Sequence, residues 1–144
     1  MAGFRRRKTR RSRQPLTRKW TRNATLDVIE EEGLVANARD RGAQLLDGLR
    51  GPAAARSAIG DVRGLGCMVA MEFVKPGQSD ERVPDPELTG RVIAEALDRR
   101  LIILSAGSYA QVTRIMPPLV TTAEEVELAA EVFNDAVADA LSAR

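Results

Sequence analysis

Residues 101–119 read LIILSAGSYAQVTRIMPPL. LIILS (101–105) has the apolar character of a buried strand and AGSYAQ that of a turn. VTRIM (112–116) is a second strand, which Pro117 and Pro118 bring to an end. Side chains alternate along a strand, so Val112, Arg114 and Met116 share one face while Thr113 and Ile115 share the other. A permanent cation therefore stands among apolar neighbours. A fully buried guanidinium without a counter-charge is too costly, so Arg114 either faces solvent or meets an anion from the protein or from a ligand. Its rigid fork of donors suits a carboxylate.

Working outward, TTAEEVELAAEVFNDAVADALSAR (121–144) carries a capping box at Thr122 and Glu125. Val126, Ala129, Ala130, Phe133, Val137 and Leu141 line one face of the helix that follows. Upstream, a helix over about 86–100 turns Leu88, Val92, Ile93, Ala96 and Leu97 inward, after a polar loop with Pro76, Pro84 and Pro86. In IGDVRGLGCMVAMEF (59–73), Gly60, Gly64 and Gly66 flank Val62 and lead into a half-buried strand over Cys67–Phe73. These glycines are not a dinucleotide fingerprint, because no helix follows and the third glycine is missing. They mark a bend or bulge where another backbone passes closely. The segment from Asn23 to Leu49 has Ile29, Leu34, Ala38, Leu45 and Leu49 at helical spacing. Asn23 or Thr25 caps its start, acids follow in its first turns, and Gly33 breaks or bends it. The order helix, strand, helix, strand, strand, helix predicts an α+β layer, with helices on one face of a small, mostly antiparallel sheet.

Composition sets the limits. The 144 residues suffice for one modest core, and with 3% aromatic residues Ala, Val, Leu and Ile must fill it. The absence of histidine excludes Ser-His, Cys-His and His-base mechanisms within this chain and leaves a zinc site almost without ligands. Cys67, the single cysteine, sits in an apolar strand and reads as packing, in keeping with a reduced cytoplasmic setting. No apolar stretch approaches the ~20 residues of a membrane-spanning helix. Ten of the 22 Lys and Arg lie in residues 1–23, which contain no acid; the other twelve face all 20 acidic residues, leaving the body at −8. Residues 1–23 are therefore expected to form a disordered basic arm ahead of a domain over 24–144. Three roles suit such an arm: a solvated tail, an organellar leader, or a nucleic-acid contact in which Trp20 stacks on a base.

IGDVRGLGCMVAMEF and LTGRVIAEALDRRLIILSAGSYAQVTRIMPPLVTTAEEVELA (88–129) are similar to the C-terminal segment of class-III pyridoxal-phosphate-dependent aminotransferases, with 4-aminobutyrate aminotransferases the nearest likeness. In that family a glycine-flanked VRGLG enters a strand ending in Glu and an apolar residue, here Glu72–Phe73. A helix leads on to an LI-LS-G strand, and an R-I-x-P-P-L strand precedes the last helix. EEEGLVANARDRG (30–42) fits the helix that enters the segment.

The resemblance implies the small C-terminal domain of a fold-type-I enzyme, over about residues 24–144. Arg114 is then the residue that binds the substrate carboxylate. Arg63 is structural, and Ser105, Gly107 and Tyr109 are candidates for the rim of the site or simply turn residues. The whole enzyme would use pyridoxal phosphate to move an amino group from 4-aminobutyrate to 2-oxoglutarate, as a homodimer. Pyridoxal-phosphate chemistry needs a Schiff-base lysine. Lys8, Lys19 and Lys75 match no such motif, so the chain alone is expected to be an inactive fragment with no catalytic or cofactor-binding residue of its own. Three readings stand beside this one: an ornithine- or acetylornithine-type aminotransferase, a small nucleic-acid-binding protein working through the arm, and a non-catalytic partner of an intact transaminase subunit.

Overall fold

The computed structural model describes residues 16–49, 57–77 and 82–143. In chain order it has α1 (Leu16–Glu31), α2 (Leu34–Gly48), β1 (Ile59–Leu65), β2 (Met68–Phe73), α3 (Pro86–Asp98), β3 (Leu104–Ala106), β4 (Val112–Ile115) and α4 (Ala123–Ser142). The strands form one sheet in the order β1-β2-β4-β3, and every neighbouring pair is antiparallel. Val69, Met71 and Phe73 of β2 and Ile115 of β4 join a single core with Leu45 and Leu49, with Leu88, Val92 and Ala96 of α3, and with Val126, Phe133 and Val137 of α4. The helices thus cover one face of the sheet, as the α+β reading expects.

Local chemistry explains the helix ends. Asp85 caps α3 by accepting from the Leu88 N–H at 2.9 Å, with Pro86 at the first helical position. Thr122 and Glu125 form the expected capping box, at 3.2 and 2.9 Å. Arg99 binds Glu95 at 2.6 Å on its own helix and reaches Asp139 on α4, so the paired helices are also tied by charge. Leu88, Val92 and Ala96 are buried as expected, but Leu97 is exposed, because it lies just off the stripe that α4 covers.

Four expectations need correction. Gly33 does interrupt the first helix, with φ at +63°, but α1 begins at Leu16. Residues 16–23, expected in a disordered arm by their charge, are helical: LTRKWTRN contains neither Gly nor Pro, and half of its residues, Leu16, Arg18, Lys19 and Arg22, are good helix formers. Asn23 and Thr25 are consequently inside α1 and do not cap it. The rest of the arm, 1–15, lies outside the described residues. Residues 59–65, read as a glycine-flanked approach, are a full strand paired with β2. Finally, the strand placed at 101–105 is a short edge strand at Leu104–Ala106; ahead of it Ile103 is buried in the core and Leu101 packs against that core, while Ile102 and Leu104 are exposed.

The glycines behave as their spacing implied. The register of β1 on β2 slips between Ile59 and Asp61, a bulge at Gly60. Gly66, with φ at +54°, occupies the tight turn from β1 to β2. Helix α2 rests directly on that turn: a Cβ on Gly42 would lie 2.0 Å from the Gly66 carbonyl oxygen, and the Cys67 thiol meets the Ala38 carbonyl at 3.6 Å. Gly42→Ala is therefore expected to destabilise the chain by about 1–3 kcal/mol through overpacking. Gly90→Ala, on α3 where an added Cβ meets nothing within 4 Å, is expected to stabilise it by about 0.5–1 kcal/mol. Urea unfolding of the two variants checks both signs.

Candidate functional site: the outer face of the sheet

The strand registers decide which residues meet on the face turned away from the helices. Arg63 of β1 lies opposite Ala70 of β2, Ala70 opposite Arg114 of β4, and Arg114 opposite Leu104 of β3. In the next row Asp61 lies opposite Glu72, Glu72 opposite Val112, and Val112 opposite Ala106. Pleating sends both rows to the same side. Thr113 and Ile115 go the other way and are buried, with the Thr113 hydroxyl donating to the Met71 carbonyl at 3.4 Å.

Two arginines thus flank a small alanine, in different electrostatic states. The Arg63 guanidinium is about half exposed and is claimed by two carboxylates through one nitrogen, Nη1, to Asp61 Oδ2 at 2.8 Å and Glu72 Oε2 at 3.0 Å. The hydrogen bond to Asp61, then that to Glu72, holds it above the ordinary arginine range. Arg63 is thus engaged by acids of the chain itself. Arg114 is half-buried and pairs with no carboxylate among the described residues, and its buried Nε has no hydrogen-bond partner. A buried charged donor left unmatched is costly and calls for an anion.

Room for one is present. An open groove of about 420 Å³ runs across this face, lined by Arg63, Ala70, Met68, Gly107, Val112 and Arg114 among others. The turn before β4 forms one wall. Gly107 has φ at +81°, and a Cβ there would fall 2.6 Å from Gln111 Oε1 and 3.0 Å from Val112 Cγ2, so only glycine fits. Gln111 accepts from the Tyr109 backbone N–H at 3.1 Å and donates to Glu72 Oε1 at 3.4 Å. Of the three rim candidates, Gly107 lies in the groove wall. Tyr109 is exposed in the turn, and Ser105 pairs with Thr113, which places it on the face opposite Arg114. Sequence reasoning missed the contact of Glu72 with Arg63 and Gln111. The signal was available in the Gly66–Cys67 turn, which sets Arg63 across from Ala70 once 59–65 is taken as a strand.

The family model for class-III aminotransferases matches residues 17–137. The chain belongs to the class-III aminotransferases. It is 40% identical over 121 residues to an alanine/serine racemase of Pyrococcus horikoshii, covering 84% of this chain and 25% of the relative. It is 41% identical over 109 residues to the 4-aminobutyrate aminotransferase of Escherichia coli, covering 76% of this chain and 25% of the relative. Among solved structures, a transaminase obtained by ancestral reconstruction matches with a TM-score of 0.70 and 34% identity, over 83% of this chain and 26% of that one. The chain therefore spans about a quarter of the length of these relatives. The family match starts within the stretch assigned to the basic arm, in agreement with the early start of α1.

Pyridoxal phosphate is the cofactor of this family. The outer groove of this chain does not fit it as a catalytic site. Lys75, the one lysine whose side chain is described, is exposed in the turn after β2 and borders a separate hollow with Asp85, Glu87 and Arg91. The groove holds a fixed cation and no amine nucleophile, so it can hold and orient an anion but has no group to bond the cofactor. Among the described residues no cluster of His, Cys, Asp and Glu could hold a metal, and no helix is long and apolar enough to cross a membrane.

Cys67 is buried under α2, and burial pushes its thiol above the ordinary cysteine range. At pH 8 its thiolate fraction is then below that of an ordinary exposed thiol. Labelling of the native chain with a disulfide reagent is expected to be slow and to become fast only in denaturing urea. Rapid native labelling would contradict the packing of α2 on the β1–β2 turn.

Proposed function

We propose that this chain supplies the substrate-carboxylate-binding face of a pyridoxal-phosphate-dependent aminotransferase that transfers an amino group from 4-aminobutyrate to 2-oxoglutarate. The observation that carries the reading is Arg114: a half-buried guanidinium on an open groove, its Nε unmatched, next to a second arginine whose carboxylates are already engaged. Amine donor and oxo-acid acceptor both present a carboxylate, and a preorganised fork orients either one while chemistry proceeds at its other end. The likeness to a 4-aminobutyrate aminotransferase supports that donor. An ornithine-type donor also carries a carboxylate, so Arg114 alone does not choose between them. Residues 24–144 are read as the family's C-terminal domain, and the whole enzyme as a cytoplasmic homodimer, on the strength of family membership.

The chain by itself is read as inactive, because none of Lys8, Lys19 and Lys75 stands in a motif matching the Schiff-base lysine. Purified chain mixed with pyridoxal phosphate is expected to show no absorbance shift of a lysine-bound cofactor and no transamination; either signal would overturn that statement.

The binding role is tested separately with glutarate, a dicarboxylate that cannot react. Calorimetric titration of the chain is expected to give saturable binding, lost in Arg114→Met and weakened in Arg114→Lys, which keeps the charge but not the fork. Binding should also fade as the ligand carboxylates protonate near about pH 4. Undiminished binding by Arg114→Met would sink the assignment.

A further inference from the structure

Why Arg114 lacks a partner needs an explanation, because a carboxylate stands next to it. Glu72 lies one step diagonally from Arg114 on the same face of the β2–β4 pair, opposite Val112 while Arg114 is opposite Ala70. Diagonal neighbours of this kind are about 7–8 Å apart at the backbone, within reach of two long side chains. Ala70, between the two arginines, is too small to block the way. Left to itself, Glu72 would swing onto Arg114 and fill the fork that the ligand needs.

It is held elsewhere. One Glu72 oxygen accepts from Arg63 Nη1 at 3.0 Å and the other from Gln111 Nε2 at 3.4 Å. The same Arg63 nitrogen serves Asp61 at 2.8 Å. Among the described residues, these two rows of the outer face carry two acids, Asp61 and Glu72, and two arginines, and Arg63 takes both acids. We propose that Arg63 is a positioning residue for Arg114: by engaging Glu72 it keeps that carboxylate off the neighbouring guanidinium and leaves the fork open to substrate. The proposal rests on the reading of Arg114 as the carboxylate-binding residue. It adds that the vacancy of Arg114 is maintained by a second arginine, which itself touches no substrate.

Removing Arg63 leaves two acids and one cation on this face. Glu72 keeps only the long contact to the neutral Gln111 amide, and Arg114 becomes the strongest available partner. Arg63 and Asp61 are about half exposed and Glu72 keeps its Gln111 contact, so the loss of Arg63 should alter stability little. A purely structural role predicts the reverse pattern, with a lower unfolding midpoint and an unchanged Arg114.

The test uses the whole chain, labelled with nitrogen-15, with the Arg114 Nε–H resonance assigned by its absence in Arg114→Met. In ligand-free Arg63→Met that resonance should move downfield as Glu72 engages it, and return in Arg63→Met/Glu72→Gln. Glutarate affinity should fall about tenfold in Arg63→Met, the ratio set by one competing charge-assisted contact. It should recover in the double variant with the urea midpoint unchanged throughout. Arg63→Lys should stay close to the parent chain, since both contacts run through a single nitrogen. An Arg114 resonance unmoved by Arg63→Met overturns the proposal, as does a shift that Glu72→Gln fails to reverse. If the parent chain does not bind glutarate at all, the reading of Arg114 as a carboxylate site fails, while the ligand-free resonance still decides whether Arg63 governs its pairing.

Discussion

A β-strand has two faces, and the pairing of Met71 with Thr113 in the middle of the sheet decides what each one carries. That register commits Val69, Met71, Phe73, Thr113 and Ile115 to the helix side, where burial of apolar surface drives the packing of α2, α3 and α4. The same commitment turns Ala70, Glu72, Val112 and Arg114 to the opposite side. A slip of one residue would drive the guanidinium into the core and Thr113 out of it, at a cost the fold could not bear. The position of the charged group is thus a by-product of the strongest force in the structure. No separate interaction is needed to aim it.

On the exposed side the balance is electrostatic. Arg63 and Arg114 have identical side chains and lie either side of one alanine, yet one is saturated and the other is not. The difference comes from the strands that bear the acids. Asp61 sits two residues from Arg63 on its own strand and Glu72 lies beside both, so Arg63 gains two partners where Arg114 is offered at most one. The turn that carries Gly107 and Gln111 closes the groove at one end and steadies Glu72 from the other side. A fixed guanidinium in an open groove has the chemistry to bind and orient an anion. Bond-making is left to the cofactor chemistry of the family.

Features governed by neighbours in sequence were legible there. The capping box at Thr122, Pro86 at the start of α3, the break at Gly33 and the facing of Arg114 follow from spacing of one to four residues, and all were readable. Features governed by partners distant in sequence were not. Strand β1 contains two glycines, an aspartate and an arginine, all weak strand formers, and it is a strand because β2 pairs with it. Ile102 and Leu104 look like core residues and are exposed, because β3 lies at the edge of the sheet. The bare backbone contact of Gly42 with Gly66 joins two segments whose approach no local pattern announces. Residues 16–23 differ for another reason: their charge density points to a disordered arm, yet the segment continues as the first turns of α1. In the site, alternation set the facing of Arg114 and the family resemblance suggested its role, whereas the hold of Arg63 on Glu72 required the missing strand.

Arg114 is proposed to offer a substrate carboxylate a guanidinium that no acid among the described residues fills. A crystal structure of the chain grown with saturating glutarate tests this. The expected result is a carboxylate lying across Nε and one Nη of Arg114, inside the groove walled by Gly107, with Arg63 still on Glu72. A groove without glutarate and Arg114 turned onto Glu72, or a ligand seated on Arg63 instead, would contradict the account.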